Sequence, residues 1–264
     1  MSKTVVITGG TRGIGLGLAR ELLARGCKVA ICGRSQESVN KALAELGAPD
    51  RAVGVVADVT DEAALSQLWY AAHTAFGGVD IWVNNARISI SRLPLHEVDA
   101  KELRGVVETN LLGAIVGSRV ALRGFIAQGR GALWNMEGFG SGGQTAPGMA
   151  PYGASKRAVT YLSKALVKET KGLPVEVGRL SPGIVLTDLL FGDYDGQPEQ
   201  LEKAKKIFNI LGDRVETVTP FLAEKLLSHK GTGGHIQWLT KSKAFGRFAT
   251  AGFRKRDLFV DAPA

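Results

Sequence analysis

The chain lacks what a disulfide framework or a metal centre would require. Its 264 residues hold two cysteines, Cys27 and Cys32, which flank one apolar run. They read as reduced core thiols. The four histidines are scattered, with no HExxH pair and no Cys/His cluster, so no metal site is expected. No uninterrupted apolar run reaches the roughly 18 residues of a membrane span, so no transmembrane segment is expected. Met1-Ser2-Lys3 runs straight into an apolar strand, leaving no room for a signal or transit peptide and making a cytoplasmic protein the expectation. Internal repeats, low-complexity tracts and linkers are also missing. One domain over residues 1–264 follows, a length that α/β folds reach as a single unit.

The formal net charge is +8, with six cations and no acid between Lys241 and Arg256 (Lys241, Lys243, Arg247, Arg254, Lys255 and Arg256). Such a stretch reads as a solvated basic tail over about 241–264 or a dimer edge, in preference to a nucleic-acid site.

Short apolar runs alternate with helical stretches. Strands are predicted at Thr4–Thr8, Lys28–Cys32, Ala52–Ala57, Val79–Val83, Gly131–Met136, Val175–Leu180 and His235–Leu239. Helices are predicted from Ile14 to Ala24, after Ser35 as N-cap, after Thr60 as N-cap to Phe76, from Asp99 to Ala127 and from Tyr152 to Thr170. This order predicts a doubly wound α/β fold, a parallel sheet with helices on both faces.

Thr8-Gly9-Gly10-Thr11-Arg12-Gly13-Ile14-Gly15 joins the first strand to the first helix. Glycines there permit a tight turn and let backbone N–H groups approach a pyrophosphate at a helix N-terminus. An NAD-preferring site offers an acid at the end of the second strand. This chain offers Gly33 and Arg34, with Arg12 in the turn. Two guanidiniums suit a 2′-phosphate, so NADP(H) is the expected cofactor. Asp58 follows the third strand, placed either to meet an adenine edge, with Val59, or to cap the next helix.

Tyr152 and Lys156 lie four apart in Pro151-Tyr152-Gly153-Ala154-Ser155-Lys156, which puts both on one helix face. A cation beside a phenol favours the phenolate, a group able to exchange a proton with an oxygen near neutral pH.

Taken together, the glycine turn, Asn84-Asn85-Ala86, Asn110, Tyr152-(x3)-Lys156 and Ser181-Pro182-Gly183 resemble, in order and spacing, the short-chain dehydrogenase/reductases, over about residues 4–240. The resemblance implies a Rossmann-like sheet of seven parallel strands and a hydride exchange between a nicotinamide and a carbonyl or alcohol. It makes Tyr152 the acid/base, Lys156 the ribose-binding lysine and Asn110 the holder of a relay water. Asn85, Ala86, Pro182 and Gly183 would border the cofactor, and Thr187 would touch its carboxamide. It also implies a homodimer or homotetramer built on the 99–127 and 152–170 helices.

Two departures stand out. Arg87 occupies the place of a family glycine after Asn-Asn-Ala. Glu137 and Gly138 occupy the place of a family Ser-Ser that includes the catalytic serine. Ser141, 11 residues before Tyr152, is the nearest hydroxyl, either a substitute or a turn residue. The run Asn135-Met136-Glu137-Gly138-Phe139-Gly140-Ser141 and the later Ser181–Leu190 segment are similar to chlorophyll b reductases, implying a hydrophobic carbonyl substrate of the formyl-tetrapyrrole kind. The segment 189–212, apolar residues around a glycine- and proline-bearing loop, reads as a substrate lid or as core packing.

Overall fold

The computed structural model describes residues 2–192, 194, 197–253 and 256–259. Arg254, Lys255 and 260–264 of the predicted basic tail, and Asp193, Asp195 and Gly196 of the predicted lid, lie outside the described residues.

Seven parallel strands form one sheet: β1 (Thr4–Ile7), β2 (Lys28–Gly33), β3 (Ala52–Val56), β4 (Ile81–Asn84), β5 (Ala132–Met136), β6 (Glu176–Ser181) and β9 (His235–Gln237). Their spatial order is β3-β2-β1-β4-β5-β6-β9. The chain reverses its winding between β1 and β4, which opens a crevice at the strands' carboxyl ends. β1 is wholly buried, pairing Val5 with Val29 on one side and Ile81 on the other. Its unbroken apolar run fits a strand covered on both faces.

Helices α1 (Gly13–Ala24), α2 (Gln36–Leu46), α3 (Glu62–Phe76), α6 (Ala150–Glu169) and α9 (Val215–Ser228) cover the sheet. One apolar cluster joins Leu18, Leu22, Ile31, Val83 and Leu222; the other joins Leu65, Leu68, Trp82, Phe125 and Leu133 on the opposite face. Ser35 caps α2 as expected, accepting from Ser38 N. The cap of α3 is Asp61, not Thr60: Asp61 accepts from Ala63 N and Ala64 N. Thr60 instead gives its N–H and hydroxyl to Asp58, and the carboxylate one residue on wins the helix end.

The predicted 99–127 helix is two α-helices, α4 (Ala100–Val107) and α5 (Gly113–Gln128), joined by one π-helical turn at Glu108–Leu112. Its 29 residues have the length and hydropathy of a membrane span. In the fold, its stripe Val106, Val120, Ala121 and Phe125 is buried.

A second sheet, absent from the sequence reading, pairs β7 (Ile184–Leu186) with β8 (Gly212–Arg214). Between them lie α7 (Asp188–Gly192) and α8 (Pro198–Leu211). Asp213 of β8 is buried, accepts from Trp238 Nε1 at 2.6 Å and pairs with Arg247 and Arg256 at 2.8 Å. This carboxylate holds α10 (Lys241–Thr250) to the body. Two of the basic residues at the chain's end are therefore paired, not merely solvated.

Candidate active site

A cleft of about 760 Å³ runs along the carboxyl ends of β1 and β2. Gly9, Thr11, Arg12, Gly13, Ile14 and Gly15 form one wall. Gly9 and Gly13 have φ of +61° and +53°, a conformation that favours glycine. A side chain on Gly15 would start 2.3 Å from Gly9 O and 2.6 Å from Asn85 Nδ2. The turn is buckled to β4 by Thr8 and Asn85. Thr8 Oγ1 accepts from Asn85 N and Ala86 N, and Asn85 Nδ2 donates to Thr8 O and Gly9 O. Asn85 thus shapes the cradle with its amide.

Arg34, Asp58, Val59, Ala86, Arg87 and Thr187 line the rest of the cleft with Ser35, Ser38 and Lys41. No carboxylate follows β2 directly; Arg12, Arg34 and Lys41 bring three cations to that end, where the lining carboxylates are Asp58 and Glu45, the latter paired with Arg20. Lys41 was not singled out from the sequence; only its place on α2, one turn beyond Ser38, reveals it. Asp58 is held below the usual carboxylate range by the Thr60 N–H and hydroxyl, against a smaller burial effect, with Arg34 adding to the lowering. Thr187 Oγ1 is buried without a hydrogen-bond partner among the described residues, and its methyl lies where a Cβ on Gly13 would meet it. An orphaned hydroxyl beside a glycine cradle is what a dinucleotide with a terminal carboxamide fits. Pro182 and Gly183 stand outside the cleft's lining. Gly183, at φ +74°, turns the chain from β6 into β7 and so sets Thr187.

Tyr152 and Lys156 are almost wholly buried on α6. Ile90, Val106 and Met149 share the cluster that encloses the phenol ring. A side chain at Gly138 would start 2.6 Å from Tyr152 Oη and 3.3 Å from Lys156 Cγ, so the glycine lies against both. Lys156 Nζ donates to Met136 O at 3.3 Å. Burial, then the Arg87 charge, pushes its ammonium down to about 7, with Glu137 pulling the other way.

The structure places Ser141 elsewhere. Its hydroxyl accepts from Gly138 N at 3.1 Å and donates to Lys156 O at 3.2 Å. That is the geometry of a turn residue bonded to backbone, the second of the two readings left open by the sequence. Asn110 sits in the π-helical turn, 1% exposed. Its amide exchanges hydrogen bonds with both backbone groups of Ile88 and donates to Ser155 Oγ at 3.3 Å. Its side chain therefore ties the loop after β4 to α6.

Two residues that the sequence marked only as departures gain partners in the fold. Arg87 Nη1 donates to Tyr152 Oη at 3.2 Å. Glu137 is buried and bonded to Thr160, Arg179 and His235. Arg87 was visible as a departure but not its partner. Glu137 carried no periodic signal, because its partners come from β6, β9 and α6.

The sequence model of the short chain dehydrogenase family matches residues 3–196. The chain is 32% identical over 278 residues to the probable chlorophyll(ide) b reductase NYC1, chloroplastic, of Arabidopsis thaliana, covering 98% of this chain and 55% of that one. It is 36% identical over 252 residues to the chlorophyll(ide) b reductase NOL, chloroplastic, of the same plant, covering 91% and 71%. The chain thus spans about half the length of the first of these relatives. The solved structure of levodione reductase superposes with a TM-score of 0.79 at 27% identity, covering 92% of this chain and 98% of that one.

Proposed function

Because the chain belongs to the short-chain dehydrogenase/reductase family, we propose that it is an NADPH-dependent carbonyl reductase. Its proposed substrate is a hydrophobic aldehyde of the formyl-tetrapyrrole kind. The carrying observation is the pair Tyr152 and Lys156, buried together against Gly138 and joined to the glycine-lined cleft through Arg87. A bound reduced nicotinamide supplies the hydride that the carbonyl carbon accepts. Tyr152 Oη gives its proton to the carbonyl oxygen. Lys156 holds the nicotinamide ribose and steadies the phenolate left behind. Arg12, Arg34 and Lys41 hold a 2′-phosphate, and the glycine turn with the α1 N-terminus holds the pyrophosphate. Thr187 Oγ1 finds its missing partner in the carboxamide. Asn110, its amide committed to Ile88 and Ser155, serves a proton relay through its backbone in the widened turn.

The substrate class draws support from the two chlorophyll(ide) b reductase relatives and from the 189–212 segment. There Phe191 packs edge-on against Phe259, and Tyr194 against Phe208. As a lid these rings would exclude water from the carbonyl. A homo-oligomer through α4, α5 and α6 is supported by the outward Val107, Leu112 and Ile115 and by Tyr161, 77% exposed.

NADPH consumption across formyl-chlorophylls, simple aldehydes and ketones tests the reading. Preference for a bulky formyl substrate is expected; preference for small polar carbonyls would overturn the substrate class. Gly138, in the place of the family serine, favours one rival, a cofactor-sensing protein without turnover. NADPH binding with no consumption across the panel would select it.

A further inference from the structure

We propose that Arg87 and Tyr152 together form the site for the substrate's carbonyl oxygen, the Arg87 guanidinium supplying the hydrogen-bond donor that the end of β5 lacks. The proposal rests on the reductase reading and assigns one more of its catalytic residues.

The end of β5 offers the phenol no free hydroxyl among the described residues. Gly138 is the residue whose side chain would start 2.6 Å from Tyr152 Oη, and it has no side chain. The nearby candidates are committed. Ser141 is bonded to the backbone of Gly138 and Lys156. Ser155 Oγ donates to Tyr152 O at 2.7 Å, and the Asn110 amide is taken by Ile88 and Ser155. Among the described residues, one donor reaches the phenol oxygen: Arg87 Nη1, at 3.2 Å.

Arg87 also lines the cleft between Ala86 and Ile88, and among the described residues no carboxylate pairs with it. A guanidinium has five N–H donors in a rigid fork. One meets Tyr152 Oη, which leaves others to meet a second oxygen beside it. An unpaired cation in a partly buried cleft favours an oxygen that carries or develops negative charge.

A carbonyl oxygen between Arg87 and Tyr152 is such an oxygen. As the carbon–hydrogen bond forms with the hydride from NADPH, the carbonyl π pair moves to oxygen. Arg87 donates to that growing alkoxide and keeps its own proton, since guanidinium is not deprotonated in proteins. The Tyr152 O–H bond breaks and the new O–H bond forms on the product alcohol. Tyr152 is left as phenolate beside the Arg87 cation and regains its proton from solvent. Arg87 thus takes over, as a fixed cation from the loop after β4, the place of a neutral hydroxyl on β5.

The test compares wild type, Arg87→Gly and Arg87→Lys, with thermal unfolding to confirm that each is folded. Loss of one preorganised donor costs roughly 10²–10³ in kcat, so Arg87→Gly should fall by that factor, a far larger loss than in NADPH affinity measured separately. Guanidinium chloride at millimolar concentration should restore part of the rate to Arg87→Gly and none to Tyr152→Phe. Arg87→Lys, which keeps the charge and loses the fork, should lie between wild type and Arg87→Gly. A second arm needs no turnover. Acetate offers a small anionic oxygen, and its calorimetric affinity for the NADP+ complex should fall at least tenfold in Arg87→Gly. Unchanged kcat in Arg87→Gly would overturn the proposal. So would a fall in kcat with neither guanidinium rescue nor a change in acetate binding, which would make Arg87 scaffold. A wild type that reduces no carbonyl but binds acetate through Arg87 would reject the reductase reading and uphold the oxygen site.

Discussion

Glu137 Oε2 lies 2.7 Å from His235 Nε2, joining the ends of β5 and β9 across 98 residues of sequence. Arg179 of β6 and Thr160 of α6 complete the carboxylate's partners. Burial works against its charge, but the His235 hydrogen bond and charge, with Arg179, outweigh it and hold the carboxyl below the usual range. A carboxyl so lowered contributes stability above its unfolded pKa and loses it as pH falls through its folded one. Glu137→Gln should therefore cost about 1–3 kcal/mol at neutral pH. The deficit should shrink below the unfolded value of 4.5. Urea unfolding at neutral and acid pH checks it, and an equal deficit at both would remove the charge from the account.

Lys156 gives the opposite sign. Its folded value of about 7 lies below the ordinary 10.5. Between the two the unfolded chain binds more protons, so this group makes stability rise with pH. Lys156→Met removes a buried ammonium while keeping length. Its melting temperature, measured without cofactor, should exceed that of wild type at pH 6, with the margin closing toward pH 10. A constant margin would place the effect in packing.

In the proposed reading, cofactor choice rests on Arg12 of the glycine turn, Arg34 after β2 and Lys41 of α2. Charge-assisted hydrogen bonds contribute about 1.5–3 kcal/mol each. Arg34→Ala should thus weaken NADPH binding by roughly 10–100-fold and leave NADH binding almost unchanged. Tighter binding of NADH than NADPH by the wild type would contradict the assignment.

The 189–212 segment is tested through Phe191, which packs on Phe259 and is only partly buried. Phe191→Ala should raise KM for bulky apolar carbonyls more than for small ones. Equal losses on both, or a lower melting temperature with kinetics intact, would make the segment scaffold. Phe208 is a poorer probe, because it is 6% exposed and its removal would cost stability directly.

Strands β1 to β5 were legible as short runs rich in apolar residues, and β6 through Val177 and Leu180 despite Glu176 and Arg179; β9 was legible only with the apolar Trp238 and Leu239 that follow its three residues. The strands β7 and β8 were not. They are three residues each, too short to show alternation, and they pair across a 25-residue excursion. The cap at Asp61 was missed by one residue, since Thr60 and Asp61 are both good caps and only geometry decides between them. In the site, Tyr152, Lys156 and the glycine turn declare themselves by local spacing. Ser141 was ambiguous because hydroxyl direction is not encoded in spacing. Arg87 and Glu137 act through partners 65 and 98 residues away, separations at which sequence carries no readable signal.

Deuterium at the transferable C4 position of NADPH tests hydride delivery most directly. With a reducible aldehyde, the wild type should place one deuterium on the carbinol carbon of the product alcohol, read by mass spectrometry. Tyr152→Phe, binding NADPH normally, should yield no labelled alcohol above background. Unlabelled alcohol from the wild type, or labelled alcohol at the wild-type rate from Tyr152→Phe, would contradict the account.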